Sequence, residues 1–151
     1  MIYLIQKEKA GGKMQRFAMD DLLKWKEKAS RKPLVIMGAR QVGKTWLMKE
    51  FGKKYYEKTA YISFYNNRRM KDVFDVDFDI ERIIMNLNIE SGVTITPGNT
   101  LIILDEIQNV PKVLESLKYF CEEAPEYHVV AAGSLLGVAI HEGISCPVGK
   151  V

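Results

Sequence analysis

The eight residues Gly38-Ala39-Arg40-Gln41-Val42-Gly43-Lys44-Thr45 fit G-x-x-x-x-G-K-[ST] at every position. Each residue type in that pattern has a use toward a bound phosphate. Gly38 and Gly43 let the backbone wrap close to an anion in conformations that a Cβ opposes. Successive N–H groups then point inward as an anion nest at a helix N-terminus. Lys44 supplies a point charge to the β- and γ-phosphates of a nucleotide, and the Thr45 hydroxyl ligates Mg²⁺. Arg40, Gln41 and Val42 belong to the candidate nucleotide-binding set, although solvent-facing decoration is the simpler reading of the first two. Trp46 follows directly and joins that set, with core packing favoured over a base-stacking platform.

The metal and the attacking water call for carboxylates. Leu101-Ile102-Ile103-Leu104-Asp105-Glu106 is an apolar run that ends in two of them. In an open α/β sheet ligands sit at the carboxyl ends of the strands, which puts both acids beside the phosphates. Asp105 suits Mg²⁺, a hard cation that prefers oxygen ligands. Glu106 is placed to orient or deprotonate the water for hydrolysis of the γ-phosphate. A third run ends in Ala132-Gly133-Ser134, where Ser134 either senses the γ-phosphate or caps a helix. His128 and His141 have no partner at metal or triad spacing and receive no chemistry. Asp72, Asp75, Asp77 and Asp79 lack the central glycine and closing glutamate of a calcium loop, so they read as a solvated loop with a helix cap.

These groups need elements to hold them in place. Leu34–Met37, Ala60–Phe64, Leu101–Leu104 and His128–Ala132 are short continuous apolar runs, as expected of parallel strands covered on both faces. Helical patterns alternate with them. Phe17–Ala29 would bury Leu22, Leu23 and Trp25, with Asp20 and Asp21 near its start. Lys44–Lys54 follows the phosphate loop. Asp79–Glu90 places Ile80, Ile83, Ile84 and Leu87 on one face, and Pro111–Glu123 does the same with Val113, Leu114, Leu117 and Phe120. Alternating strand and helix predicts an α/β domain with a parallel sheet, the three-layer sandwich of P-loop nucleotide-binding proteins.

Composition agrees with one globular domain. The 151 residues are 47% hydrophobic and 27% charged, and no apolar run is long enough to span a membrane. The N-terminus does not fit a signal peptide, and Cys121 and Cys146 stand in no metal spacing, so a reducing cytoplasm is expected. The net charge of +3 conceals an asymmetry. Residues 1–71 carry 18 Lys/Arg against 6 Asp/Glu, and residues 72–151 carry 4 against 13. Interleaved halves forming ordinary mixed surface are favoured over a basic face for nucleic acid. Residues 1–15, ending near Gly11-Gly12, read as an appendage to a core of residues 16–151.

Several longer stretches extend the match beyond the phosphate loop. They are Met19-Asp20-Asp21-Leu22-Leu23-Lys24-Trp25-Lys26, Leu104-Asp105-Glu106-Ile107-Gln108, Ser116 through Pro125, and Ala132-Gly133-Ser134-Leu135-Leu136-Gly137. Together they resemble the prokaryotic AAA-superfamily ATPases whose ATPase core precedes a C-terminal domain of unknown function. The resemblance implies a sheet ordered 5-1-4-3-2, counted from the phosphate-loop strand, together with ATP and Mg²⁺ and a sensor-like role for Ser134. Such relatives continue past the region matching Pro147–Val151 into a fifth strand, a helical lid and the extra domain. The expectation is therefore a truncated core with strand five missing, and with no arginine after Arg82 to stabilise the γ-phosphate.

The leading expectation is an ATP- and Mg²⁺-binding core that hydrolyses slowly. GTP stays open, because base contacts lie in loops without a signature. A nucleotide-dependent switch for a protein partner and an ATP-dependent nucleic-acid protein are the alternatives. If strand five is absent, Leu34–Met37 becomes a sheet edge. Self-association there is favoured over a return of Ile2–Ile5 to cover it, or partial cover by residues 148–151.

Overall fold

In the computed structural model residues 2–5, 13–38 and 43–134 are described. In chain order the elements are β1 (Ile2–Ile5), α1 (Lys13–Glu27), β2 (Leu34–Gly38), α2 (Lys44–Tyr55), β3 (Lys58–Ser63), α3 (Arg68–Val76), α4 (Ile80–Ser91), β4 (Thr100–Asp105), α5 (Pro111–Glu123) and β5 (His128–Gly133). A single 3₁₀ turn, Ile107–Asn109, joins β4 to α5. The strands form one sheet in the order β1-β2-β5-β4-β3, and every neighbouring pair is parallel.

Burial follows from the pleat. Every residue of β2, β4 and β5 is buried, as required of strands covered on both sides. Successive side chains alternate between two cores. Leu34, Ile36, Leu101, Ile103, Val130 and Ala132 pack with Leu22, Trp25, Leu47, Met48 and Phe51 of α1 and α2. Val35, Met37, Ile102, Leu104, Val129 and Ala131 pack with residues of α3, α4 and α5 on the other face. The α/β sandwich expected from the apolar runs is therefore the observed one. At the edge, β3 is only partly buried.

The helix ends have local causes. Asp79 caps α4 by accepting from the Arg82 N–H at 2.7 Å, and Gly92 closes that helix at φ 70°. Pro111 opens α5 where a missing N–H costs nothing. Helix α3 was not expected. Its aspartates Asp72 and Asp75 suggested a loop, whereas Met70 and Phe74, one turn apart, are fully buried and Asn67 caps it through the Met70 N–H. Asp75 pairs with Lys71 and Asp77 with Arg82, so with the Asp79 cap three of the four aspartates are engaged in ion pairs and a cap. Asp20 and Asp21 lie in the middle of α1 rather than near its start, because the helix already begins at Lys13.

Around β2 the order departs from the expected edge. The run β2-β5-β4-β3 reproduces the expected 1-4-3-2. The position beyond β2 is held by Ile2–Ile5, in parallel register with Val35–Gly38. Strand β2 is thus internal, with its second side paired within the same chain. Residues 148–151 lie outside the described residues.

His128 begins β5 at the end of the sheet away from the phosphate loop. It is buried beside Trp25 and Tyr56, and the Tyr56 hydroxyl shares a 2.7 Å hydrogen bond with its Nδ1. Burial, then the charges of Arg31 and Lys26, push its pKa down to about 4. The unfolded chain, with an ordinary imidazole near 6.5, binds the proton that the folded chain refuses. Stability from this group is therefore complete above about pH 6.5 and falls as pH drops toward 4. Between pH 7 and pH 5 the loss should be about 2 kcal/mol. Urea unfolding at both pH values checks this; His128→Gln, which keeps an acceptor for Tyr56, should lose most of the difference. An unchanged difference in that variant would assign the pH dependence to other groups.

Candidate functional site

Strand β2 delivers Gly38 to the carboxyl edge of the sheet, and α2 starts again at Lys44. Between them, Ala39, Arg40, Gln41 and Val42 lie outside the described residues. Gly43 is the N-cap of α2 at φ 85°, a left-handed conformation that only glycine adopts readily, and it contributes no capping side chain. The first turn of α2 also carries no acidic residue. Its N-terminus is therefore left as an electropositive end with no carboxylate of its own.

Lys44 is buried, with Nζ donating to the Gly38 carbonyl at 2.8 Å. Burial lowers its pKa, and the carboxylates of Glu106 and then Asp105 oppose that shift. Next to it the Thr45 hydroxyl donates to Asp105 Oδ2 at 2.5 Å. Asp105 is 2% exposed and accepts two further bonds, from the Tyr61 hydroxyl to Oδ2 at 2.9 Å and from the Glu106 N–H to Oδ1 at 2.9 Å. Elements β3, β4 and α2 thus converge on one carboxylate. Burial first, then the charge and hydrogen bond of Asp105, push the Tyr61 phenol up to about 12, so it stays a donor at neutral pH.

Glu106 takes φ 58°, an uncommon conformation for a residue with a Cβ. Its N–H is held by Asp105, and its carbonyl accepts from the Asn109 N–H at 3.1 Å and from Asn109 Nδ2 at 3.0 Å. The left-handed residue lets the chain leave β4 and enter the 3₁₀ turn at once, so its carboxylate remains at the sheet edge. That carboxylate accepts from Gln108 Nε2. Ser134, at the end of β5, is buried, and its N–H donates to Gln108 Oε1 at 3.3 Å. Residues 135–151 lie outside the described residues, so the helix-cap alternative for Ser134 does too.

A cavity of ≈ 460 Å³ opens among these groups, lined by Gly43, Lys44, Thr45, Trp46, Lys49, Glu106 and Ser134. That volume falls within the range of small-molecule sites. Trp46 is 50% exposed on its wall, which corrects the expectation that it packs in the core. Its place on α2 turns it away from the sheet, while Leu47 and Met48 supply the buried side of the first turns.

Tyr61 and Lys49 belong to this site but carried no signal when considered singly. Tyr61 reads as an ordinary strand aromatic, yet it lies two residues before Ser63, which pairs with Asp105 in the β3–β4 register. Lys49 sits one turn beyond Thr45 and holds its ammonium 3.8 Å from the Tyr61 ring centroid. Pairing β3 beside β4 and continuing α2 by one turn were the two clues that could have found them.

Among the described residues no group of three or more His, Cys, Asp or Glu could hold a metal. The oxygen set that does exist, Thr45 Oγ1 and Asp105 Oδ2, suits Mg²⁺ rather than a protein-caged ion. Magnesium keeps waters and commonly shares one or two protein oxygens with substrate phosphates. The Thr45–Asp105 contact puts two hard oxygens side by side, so the donors present fit that cation.

Cys121 is a free thiol at the partly buried side of α5, and Cys146 and His141 lie outside the described residues. Among the described residues no helix is long and apolar enough to cross a membrane. No curated protein matches the sequence. The family model described as an AAA domain matches residues 30–151, from just before β2 through β3, β4 and β5 and every side chain described for the site. With a match over most of its length and a parallel P-loop sheet in the expected order, this chain belongs to the AAA domain family and has its nucleotide-binding fold.

Proposed function

We propose that the chain binds ATP with Mg²⁺ in the cavity at the N-terminus of α2 and hydrolyses it slowly. The observation that carries this reading is the convergence on Asp105 of Thr45 and Tyr61, with Lys44 and Glu106 around the same opening. Gly38 and Gly43 bracket the phosphate-loop sequence, whose Arg40, Gln41 and Val42 join the proposed binding set on sequence alone and lie outside the described residues. Lys44 exchanges the Gly38 carbonyl for β- and γ-phosphate oxygens. Thr45 Oγ1 and Asp105 would hold Mg²⁺, which when bound neutralises charge on the phosphates. Glu106 orients the attacking water and takes its proton, and Ser134 faces the γ-phosphate from β5. Among the described residues the cations lining the cavity are Lys44 and Lys49, with no arginine.

The sequence contains two tryptophans, of which Trp25 is buried and Trp46 lines the cavity. In a Trp25→Phe background, titration with ATP and Mg²⁺ should change Trp46 emission and saturate. GTP in a parallel titration ranks the bases, and phosphate release measured alongside reports turnover. No saturable response, together with no heat of binding at millimolar ATP, would sink the proposal.

A second reading, coupling to nucleic acid, gains from one observation. Helices α1 and α2 share a face of the sheet, and Lys24, Lys28, Lys49, Lys53 and Lys54 are exposed on or beside them. The acid-rich second half supplies α4 and α5 on the opposite face, where α3 also brings Arg68, Arg69 and Lys71 of the basic half. Phosphate release with and without single-stranded DNA, at two salt concentrations, separates this reading from the first.

A further inference from the structure

The side chain of Gln108 spans two walls of the cavity without lining it. Its Nε2 donates to Glu106 Oε2, and its Oε1 accepts from the Ser134 N–H at 3.3 Å. Chemistry alone fixes which end is which. A backbone N–H can only donate and an ionised carboxylate can only accept, so a flipped amide would oppose like to like at both ends. Few side chains can serve both partners. Glutamate at this position keeps the Ser134 bond but turns a second carboxylate toward Glu106. Leucine fills the volume and makes neither bond, and asparagine is shorter by a methylene.

The backbone that carries Gln108 is held firmly. Ile107 is 1% exposed in the core beneath the turn, and Asn109 grips the Glu106 carbonyl by its N–H and its side-chain amide. One end of the strut is therefore anchored to β4 through Glu106 and the other to the end of β5. One carboxylate oxygen of Glu106 is occupied by Gln108, which leaves the other oxygen for a water. Rotation of the Glu106 side chain would break the Gln108 bond, and displacement of Ser134 would pull on the same amide.

We infer that Gln108 is a positioning residue: it fixes the Glu106 carboxylate for water activation and ties that orientation to the end of β5 at Ser134. The inference rests on the ATPase reading above for its kinetic consequence, and on the hydrogen bonds alone for its structural one. It touches neither nucleotide nor metal, so it should govern turnover and leave binding alone.

The test uses the full chain with Gln108→Glu and Gln108→Leu, both checked for an unchanged unfolding transition. Each should retain ATP affinity within about threefold and lose on the order of 100-fold in kcat, the scale of a misplaced general base. In a Glu106→Gln background, Gln108→Leu should cost little more, because it acts through a group already removed. Amide exchange supplies a readout independent of hydrolysis. The Ser134 N–H should exchange about tenfold faster in Gln108→Leu and keep its protection in Gln108→Glu, which still accepts. Parental turnover in both variants, or Ser134 exchange unchanged by Gln108→Leu, overturns the inference. If the parent itself releases no phosphate, the ATPase reading fails, and the exchange result alone decides whether the strut exists.

Discussion

Lys44→Ala is expected to lower ATP affinity by about 100-fold, the scale of losing one charge-assisted contact to a buried phosphate. The lysine is the only cation that both lines the cavity and sits at the α2 N-terminus among the described residues. Its Nζ rests on the Gly38 carbonyl, the first residue of the proposed phosphate loop, and it is this bond that the proposal has it exchange for phosphate. The side chain is not a solvated bystander in the nucleotide-free protein. It is buried, and truncation also removes the Gly38 bond, at a cost of about 1 kcal/mol. Two measurements separate these effects: calorimetric titration with ATP and Mg²⁺ for affinity, and urea unfolding without nucleotide for stability. The variant should unfold cooperatively, slightly earlier than the parent, and bind ATP poorly. A folded variant with parental ATP affinity would remove the phosphate loop from the proposed function.

What the sequence allowed one to foresee divides along physical lines. Strands β2, β4 and β5 stood out because strands covered on both faces are apolar at every position, and their runs are bounded by charge, glycine or proline. The pair Asp105 and Glu106 was foreseeable for the same reason, since a carboxylate straight after a buried strand must emerge at its carboxyl edge. Helix α3 was not, because its burial rests chiefly on Met70 and Phe74 amid five charged residues of the same helix. The hydrogen bond of Tyr61 to Asp105 depends on strand order and register, which are long-range properties that no local pattern carries. Trp46 was misjudged because residue type suggests burial, while the sheet-facing side of α2 is already filled by Leu47, Met48 and Phe51. A return of Ile2–Ile5 to the sheet edge was weighed below self-association, because its place beside β2 depends on the free side of that strand, a matter of topology rather than of the four residues themselves.

Glu106→Gln should retain ATP and lose turnover by about 10²- to 10⁴-fold, the contribution of a positioned general base. Glutamine preserves length and shape, and its carbonyl oxygen can still accept from Gln108 Nε2, so the geometry around the left-handed residue persists. The substitution removes the negative charge and the proton-accepting oxygen that faces the cavity. Removing that charge also takes away one of the two carboxylates that oppose the lowering of the Lys44 pKa by burial. Asp105 remains for that purpose, and bound phosphates supply more negative charge, so affinity should hold or rise slightly. The expected signature is a split: an ATP dissociation constant close to the parent's, with phosphate release falling to background. Trp46 emission measures the first quantity and a coupled phosphate assay the second, on the same preparation. If both fall together, Glu106 contributes to binding rather than to water activation. If phosphate release equals the parent's, the proton goes elsewhere, and the left-handed turn at Glu106 serves only to carry the chain from β4 into the 3₁₀ turn.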